Sequence, residues 1–450
     1  MPSEMTRARC HELFDRVERE ARALGVQGVE AIIMAGSHAL TRFANNGIHQ
    51  NVSETSAQLS VRAWIDGRTG RAGTNRLTPD AIREAVTQSA AITRAQERDP
   101  EMLPLAGPAP CASVERYFAG TADAEPQTRA EAVAEAIQVV EEAGQTAAGI
   151  YSTGHSILAI LNSAGVSAYH AETMAQFSIT AMAADSSGWA KASACDRGNL
   201  DPAALARQAA RKAAGSREPA ETPPGRYTVI LEPAAVLDLV GQMFGDFSGT
   251  ALADGRSFLA ARLNTPLFGG NIRIVDDCRH PLQSGAPFDG EGLPRAPLSL
   301  VKAGVPEQVA WCRQAAQAAG AEATGHGFPL PNEYGEAPMN IVMEGGETSL
   351  ERMIESTERG LLITRLWYIR EVDPYEKIMT GMTRDGTFLV EGGRVTRGVR
   401  NLRFNQSLIE LLRNVEALSP AVRASGEEAF DMVVPAMKVN DFRFSEVTRF

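Results

Sequence analysis

Hydrophobic positions between residues 7 and 95 follow two periodicities. A helical spacing predicts an amphipathic helix that ends at Gly25. The apolar positions of that helix are Leu13, Phe14, Val17, Ala21 and Leu24. Residues 29–34 predict a strand, and the Asn-Asn-Gly sequence at 45–47 predicts a turn into a second strand with alternating apolar residues. Thr-Pro at 78–79 predicts the start of another helix, so residues 1–95 are expected to form an α/β unit.

A second unit follows with the same order of elements. Residues 96–112 contain four prolines, which neither a helix nor a sheet interior accepts, so this segment is predicted to be a linker. Thr128 and Glu131 fit a capping box that opens a helix, and strands are predicted around 157–161 and 177–182. Asp-Pro at 201–202 then starts a further helix. Residues 113–222 are therefore predicted to be a second α/β unit, which makes the N-terminal domain internally duplicated.

The remaining half of the chain is dense in turns. Residues 218–226 contain three prolines and a glycine and are predicted to be the main domain boundary. A strand at 227–231 and a helix from Pro233 follow, and short apolar runs then alternate with turn sequences. Those runs lie at 272–275, 298–301, 341–343 and 361–369, with hairpin signals at 385–386 and 392–393 and helices predicted at 348–358 and 405–415. The predicted fold class is α+β, with a β-rich C-terminal domain over 223–450.

Charge and hydropathy argue against several classes of partner. The formal net charge of −11 argues against nucleic-acid binding, which depends on Lys and Arg neutralising phosphates. No run approaches the roughly 18 apolar residues of a membrane span, and the N-terminus has no apolar signal core. The sequence predicts neither a nucleic-acid nor a membrane partner, and we expect the chain to be cytoplasmic.

Candidate chemistry in the sequence is sparse. The five cysteines are far apart and form no C-x-x-C pair, so neither a disulfide framework nor a cysteine zinc site is indicated. If residues 276–280 are extended, Asp276, Cys278 and His280 share a strand face and offer an alternative metal trio. Acidic glycine turns at 288–292 and 344–347 offer carboxylates to a ligand, although tight backbone turns explain their glycines equally well.

Several longer motifs are specific to one family. They are GLLIT at 360–364, DGTFLVEGG at 385–393, NQSLIELLRNVEAL at 405–418, RFANNGIHQN at 42–51, GRSFLAARLNTP at 255–266 and FDGEGLPR at 288–295. With them the chain resembles the TldD/PmbA family over most of its length. In peptidase members of this family, the helix after the first strand of the C-terminal domain carries H-E-x-x-x-H, and a later cysteine completes a zinc site. The histidines hold the metal, and the glutamate takes a proton from its bound water.

The corresponding stretch here has lost those ligands. Residues 233–249, PAAVLDLVGQMFGDFSG, contain no histidine, cysteine or glutamate, and residues 426–437 contain no cysteine. Asp238 and Asp246 are expected to be solvated carboxylates on the helix surface. No catalytic, cofactor-binding or metal-binding residue is therefore predicted, apart from the alternative trio at 276, 278 and 280. The pattern resembles the PmbA/TldE-type subunit, which lacks the zinc motif.

The resemblance implies a role for such a subunit. We expect a non-catalytic half of a dimer that pairs with a TldD-like zinc metallopeptidase paralogue, encloses a chamber and processes unfolded peptides. The zinc is expected in the partner and no cofactor in this chain. The strand edge at 361–369 is predicted to hold peptide by strand addition. Two alternatives stay open: an autonomous metallopeptidase or hydrolase with an atypical site, and a peptide-binding regulatory protein.

Overall fold

The two N-terminal units share one order of elements, apart from a short extra helix in the second, and build one sheet. The computed structural model describes residues 5–448. The first unit consists of α1 (Arg7–Ala23), β1 (Gly28–Ala44), β2 (Gly47–Ile65), β3 (Arg68–Thr74) and α2 (Pro79–Ala95). The second consists of α3 (Ala119–Ala122), α4 (Pro126–Glu142), β4 (Thr146–Asn162), β5 (Ser167–Met182), β6 (Ser187–Ala194) and α5 (Pro202–Gly215). The strands form an antiparallel sheet in the order β3-β2-β1-β4-β5-β6, so β1 and β4 join the units at its centre.

The sheet differs from the sequence prediction in the length and number of its strands. β1, β4 and β5 each extend well beyond their predicted apolar runs, and each unit has a third strand that was not predicted. The helix starts at Thr78 and Asp201 are confirmed as N-caps. The capping box is wrong, because α4 begins at Pro126 with Glu125 as its N-cap, which places Thr128 and Glu131 inside the helix.

One face of the sheet is covered by helices. Residues of α1 and α2 pack with Val29, Ala31 and Ile33 of β1 in one core, and residues of α4 and α5 pack with β5 and β6 in another. Gly188 lets α5 approach β6 closely, because a Cβ there would lie 2.1 Å from the carbonyl oxygen of Ala209. The opposite, helix-free face of the sheet is turned towards the C-terminal half of the chain.

The C-terminal part contains two sheets and short helices. Its helices are α6 (Pro233–Val240), α7 (Gly249–Ala253), α8 (Arg313–Ala319), α9 (Leu350–Glu355) and α10 (Leu408–Arg413). Its strands are β7 (Gly225–Leu231), β8 (Ile274–Asp276), β9 (Leu298–Lys302), β10 (Val305–Pro306), β11 (Ile341–Met343), β12 (Arg359–Asp373), β13 (Ile378–Glu391), β14 (Arg394–Gly398), β15 (Leu402–Ser407), β16 (Val415–Leu418), β17 (Val422–Ala424), β18 (Met432–Val434) and β19 (Met437–Val447). This confirms an α+β fold with a β-rich C-terminal part.

Five of these strands close into a ring. β12 pairs with β7, β7 with β19, β19 with β15, β15 with β13, and β13 pairs back with β12. β14 and β16 attach to this ring, while the other sheet has the order β10-β9-β8-β11-β18-β17. Closure removes free strand edges, which otherwise pair with other chains. A large core lies inside the C-terminal part, with contributions from α6, α10 and both sheets, and a smaller cluster includes Ile230, Met353 and Phe388.

Two predictions within the ring need correction. Asp385 and Gly386 do not form a hairpin turn, because β13 runs through them with φ values of +51° and +131° at an irregularity opposite Ile363 and Arg365. The strand edge proposed at 361–369 is partly occupied: β13 pairs along one side of β12, residues 360–363 pair with β7 on the other side, and the Tyr368 N–H donates to Glu428. The turn at Gly392 and Gly393 is confirmed between β13 and β14.

Buried carboxylates organise the segment between residues 246 and 340, where regular structure is scarce. Asp289 accepts from the backbone N–H groups of Glu291, Leu293 and Gly327, each at 2.9 Å. Glu336 accepts in the same way from Thr250 and Cys312. A buried backbone N–H without a hydrogen-bond partner destabilises the fold, and in this segment the carboxylates accept the hydrogen bonds that a neighbouring strand would accept in a sheet.

Among residues 5–448, no helix has the length and apolar content needed to cross a bilayer.

Candidate functional site

The family resemblance places the metal motif on α6, and in this chain the loop at 426–428 covers that helix. Asp238 on α6 is fully buried, and its Oδ1 accepts hydrogen bonds from the backbone N–H groups of Glu427 at 3.1 Å and Glu428 at 2.9 Å. A Cβ on Gly426 would lie 2.1 Å from the same oxygen. The expectation of a solvated carboxylate at 238 is therefore wrong, because the loop at 426–428 closes over it.

Burial sets the titration of this carboxyl group. Desolvation raises the pKa of Asp238 to about 7, although the backbone N–H groups of Glu428 and Glu427 act in the opposite direction. The loop is held from two further sides. Lys191 of β6 donates to the carbonyl oxygen of Gly426 at 2.6 Å, and the Glu428 carboxylate accepts from the N–H of Tyr368 at 2.7 Å. Asp238 thus supports a loop that joins α6 to both halves of the chain.

Asp246, the second carboxylate of the stretch, is also buried. It lies at the end of a 3-10 turn over Gly241–Asp246 and pairs with Lys377, whose Nζ also contacts Glu371. Its Oδ1 accepts from the N–H of Phe258 at 3.2 Å. Burial raises its pKa against the opposing charge of Lys377. The expectation that Asp246 is a surface carboxylate is therefore wrong as well.

The alternative metal trio does not assemble. β8 ends at Asp276, so Cys278 and His280 lie in a turn and do not share a strand face with it. Asp276 is engaged elsewhere: its Oδ2 accepts from the N–H groups of Met339 and Asn340, and its Oδ1 lies 3.2 Å from Nε2 of buried His326. The sequence prediction failed because it assumed an extended backbone through residue 280.

The acidic glycine turns have structural roles. Gly290 approaches Pro329 so closely that a Cβ would lie 2.3 Å from its nitrogen, and a Cβ on Gly345 would lie 2.4 Å from the nitrogen of Ala421 and from the carbonyl oxygen of Ser419. Asp289 binds the three backbone N–H groups named above, and burial raises its pKa. Glu344 and Glu347 are exposed. Close backbone contact thus explains these glycines.

A cleft of about 640 Å³ lies between the helix-free face of the N-terminal sheet and loops of the C-terminal part. Its apolar lining includes Ile32, Met34, Leu158, Ile160, Met174, Phe288, Phe328, Pro329, Met339 and Phe430. Ile32 lies opposite Ile160 and Met34 opposite Leu158, which places these four side chains on the same face. Met34 and Met339 are 44% and 41% exposed, so apolar surface faces solvent at the cleft. Methionine side chains adapt to ligands of different shape, as at promiscuous binding surfaces.

Arg423 fixes one wall of this cleft. Its guanidinium donates to Ser193 of β6 at 2.9 Å, to Ser284 at 3.2 Å and to Asp431 at 3.1 Å. Ser193 in turn contacts Asp431 directly. Sequence reasoning missed this site, because its residues come from at least eight separate segments and form no local motif. The sequence positions of the methionines and Arg423 follow no regular spacing that would predict a common site.

Comparison with known families agrees with this architecture. Models described as PmbA/TldA metallopeptidase domain 1, central domain and C-terminal domain match residues 29–93, 121–217 and 224–446. The chain belongs to the PmbA/TldD metallopeptidase family. The resemblance seen in the sequence motifs is thereby confirmed.

Individual PmbA/TldD relatives are distant in sequence but similar in fold. The chain is 22% identical to Metalloprotease PmbA of Escherichia coli O157:H7 over 396 residues, which cover 85% of each protein. It is 24% identical to a metalloprotease of Methanothermobacter thermautotrophicus over 316 residues, 64% of this chain and 67% of the relative. The crystal structure of TldE from Thermococcus kodakarensis matches 96% of this chain and 100% of that one, at 20% identity and a TM-score of 0.88. A putative modulator of a DNA gyrase from Thermotoga maritima matches 97% and 100%, at 21% identity and a TM-score of 0.86.

Zinc, which the PmbA/TldD family implies, does not fit the donors that this chain offers. Residues 233–249 supply two carboxylates, of which Asp238 is used by backbone N–H groups and Asp246 by Lys377. Protein zinc sites use three or four Cys, His, Asp or Glu ligands. Within residues 5–448, no three or more such side chains are grouped to hold a metal ion. The donors near α6 therefore stabilise the fold and do not form a metal centre.

Proposed function

We propose that this chain is a non-catalytic PmbA/TldD-family subunit that pairs with a zinc-bearing TldD-like paralogue and helps it to process unfolded peptides in the cytoplasm. The observation that supports the proposal is the loop at 426–428, which covers Asp238 of α6. The stretch that corresponds to the family's metal motif contains no histidine, cysteine or glutamate, and its buried Asp238 holds the loop at 426–428.

The chemistry of peptide hydrolysis supports this assignment. A metallopeptidase activates water by binding it to the metal and removing its proton with a nearby base. Asp238 is surrounded by loop backbone, and Asp246 is paired with Lys377, so neither carboxylate is placed to serve an activated water. Holding a peptide supplies orientation but no nucleophile. The chain is accordingly proposed to contribute binding and enclosure.

The methionine-lined cleft is the proposed contact with substrate. Unfolded peptides differ from folded proteins in that their apolar side chains are accessible, and the cleft presents apolar surface from Met34, Met174 and Met339. A flexible apolar lining accepts many side chains with little selectivity. The cleft thus suits a subunit that receives peptides of varied sequence.

The test is an assay of an unfolded reporter peptide with this chain alone, with the zinc-bearing paralogue alone, and with both. We expect no cleavage by this chain alone and faster cleavage by the pair. Met34→Asp, which charges the cleft, should reduce the stimulation at least about tenfold, the equivalent of about 1.4 kcal/mol. Val395→Asp is the matched control, because Val395 on β14 is 43% exposed, close to the 44% of Met34, and does not line the cleft.

Two results would contradict the proposal, and each would support a different function. Metal-dependent cleavage by this chain alone, absent from a mock purification, would support an autonomous hydrolase. Peptide binding without any effect on the paralogue would support a regulatory peptide-binding protein.

A further inference from the structure

The outer edge of β2 is open over most of its length. β1 pairs with β2 on one side from Gly28 to Ala44, whereas β3 pairs on the other side only from Leu59 to Ile65. Among residues 5–448, no strand pairs with the outer edge of residues 47–58. At about 3.3 Å per residue, this edge is roughly 40 Å long. It presents a continuous row of backbone donors and acceptors.

The composition of this edge lacks the usual protection. Exposed edge strands are normally shielded by lysine, proline or a covering element, because an open edge recruits other chains. Residues 47–58, GIHQNVSETSAQ, contain no lysine, arginine or proline, and Glu54 is their only acidic residue. Most of these side chains are exposed. An edge of this kind is suited to pairing with another backbone.

Two cavities meet at the inner end of the open edge, where Gln58 lines both: one lies on the helix-free face of the sheet, and the other lies beside α2. On the helix-free face, Gln58 lies opposite Met34, and both line the methionine-lined cleft. On the other face, Ala57 lies opposite Ala35 and packs against the core formed with α1 and α2. A cavity of about 750 Å³ opens there, with Ala57, Ala81, Ala85, Arg76, Glu84 and Gln88 in its lining. The surface of the first cavity is therefore mostly apolar, and the second has a polar and charged rim.

This arrangement matches the geometry of an added strand. β3 leaves the edge at Thr74, which also lines the cavity beside α2. A strand in line with β3 would lie along residues 47–58, and its successive side chains would point to opposite faces of the sheet. One side chain would reach the methionine-lined cleft and its neighbour the cavity beside α2.

We propose that the open edge of β2 accepts an extended segment of an unfolded polypeptide as an added strand, with an apolar side chain in the cleft and a polar side chain beside α2. The inference rests on the proposed function and gives it a location and a substrate pattern. The net charge of −11 favours neutral or basic segments. The same charge disfavours a second copy of this chain as the occupant, because like-charged molecules repel.

The probe is a fluorescent peptide of alternating leucine and serine with a lysine at each end, measured by fluorescence anisotropy. Two further peptides carry N-methyl groups on every second residue, one on the leucines and one on the serines. Only one edge of the bound peptide faces β2, so one methylated peptide should bind at least about tenfold more weakly while the other binds as the parent. Equal binding of all three peptides would overturn strand addition.

Protein variants provide the second readout. Ala57→Glu fills the cavity beside α2, and Met34→Asp charges the cleft; each should weaken binding at least about tenfold. Val395→Asp is the matched control, because Val395 is exposed and lines neither cavity, and it should bind as the wild type. Unchanged binding by both Ala57→Glu and Met34→Asp would overturn the proposal. So would a wild-type dimer that Ala57→Glu converts to monomer without affecting peptide affinity, because the occupant would then be a second copy.

The experiments distinguish a failure of the edge site from a failure of the proposed subunit role. If this chain stimulates the paralogue but both variants bind peptide normally, the edge site is wrong and the subunit role stands. If the peptides show the asymmetric effect of N-methylation but the chain does not stimulate the paralogue, the edge site stands and the subunit role is wrong.

Discussion

The carboxylate of Asp238 accepts a hydrogen bond at 2.9 Å from the backbone N–H of Glu428, which lies 190 residues later in the chain. This contact joins α6 to the loop that continues into Phe430 and Asp431, which line the methionine-lined cleft. In catalytic relatives, the resemblance places zinc ligands on the corresponding helix. In this chain the same helix supports a loop at one wall of the methionine-lined cleft.

Asp238→Asn should change how stability depends on pH. Burial raises the folded-state pKa of Asp238 to about 7, above an unfolded value of about 3.9. The folded state therefore holds more protons between these values, and stability falls as pH rises from about 4 to about 7. The difference in unfolding free energy between wild type and variant should fall by up to about 1.4 kcal/mol per pH unit in this window.

Urea denaturation at several pH values measures that difference. Asp254→Asn is the control, because Asp254 is exposed and pairs with Arg256 at the surface. A difference that is constant from pH 4 to pH 7 would show that Asp238 is not a buried, titrating carboxyl group.

Glu30→Gln should destabilise the N-terminal sheet. Arg62 of β2 donates to Glu30 of β1 through Nε at 3.1 Å and Nη2 at 2.8 Å, and both side chains are at most 2% exposed. Removing one charge leaves Arg62 buried without its counter-ion, which costs about 3–5 kcal/mol. The exposed pair of Arg9 and Glu12 is the control, and Glu12→Gln should change stability by less than about 0.5 kcal/mol.

The destabilisation by Glu30→Gln should also depend on pH. Burial alone would raise the pKa of Glu30, but the charges of Arg62 and Arg71 hold it below its usual range. The stability that this ionised group supplies is present above its unfolded pKa of about 4.3 and is lost as pH falls through the lower folded value. The difference in unfolding free energy between wild type and variant should therefore decrease at acidic pH. An increase at acidic pH would contradict the ion pair.

Purified chain should contain well below one zinc per molecule. The carboxylates near α6 already have backbone or lysine partners, and Asp276 is bound by the backbone of residues 339 and 340. Elemental analysis after dialysis against zinc provides the measurement. About one zinc per chain that disappears in Cys278→Ser or His280→Ala would instead establish the atypical metal site.

Limited trypsin digestion should first cut at Arg217, within the segment that leads into the predicted boundary at 218–226. Arg217 is exposed and lies just after α5 ends at Gly215. The following residues are tied down, because the Ala220 N–H donates to Gly398 and the Arg400 N–H donates to Ala220. Mass spectrometry should find two fragments, and Arg217→Gln should remove this cut. Early cuts inside β12 or β13 would refute the predicted domain plan.

The sequence alone determined the features that depend on neighbouring residues. Pro79 and Pro202 identified helix starts, Gly25 identified a helix end, and the glycines at 392–393 identified a hairpin, because each acts through its own backbone geometry. The family followed from local motifs such as DGTFLVEGG. The missing zinc donors of α6 were equally readable, since they depend only on residue types along one helix.

Tertiary structure decided the features that depend on partners far along the chain. β1 extends through residues 35–44, which mix polar and apolar side chains, because β2 and β4 pair with it on both sides. Pairing with distant strands is not specified by the residue pattern of this segment alone. Asp238 is buried because a loop 190 residues away donates its backbone N–H groups to it. The open edge of β2 and the two cavities beside it exist only because β3 stops at Thr74 and the C-terminal loops meet the sheet. Burial and strand pairing are properties of assembled surfaces, whereas the residue pattern of one segment specifies only its own preference.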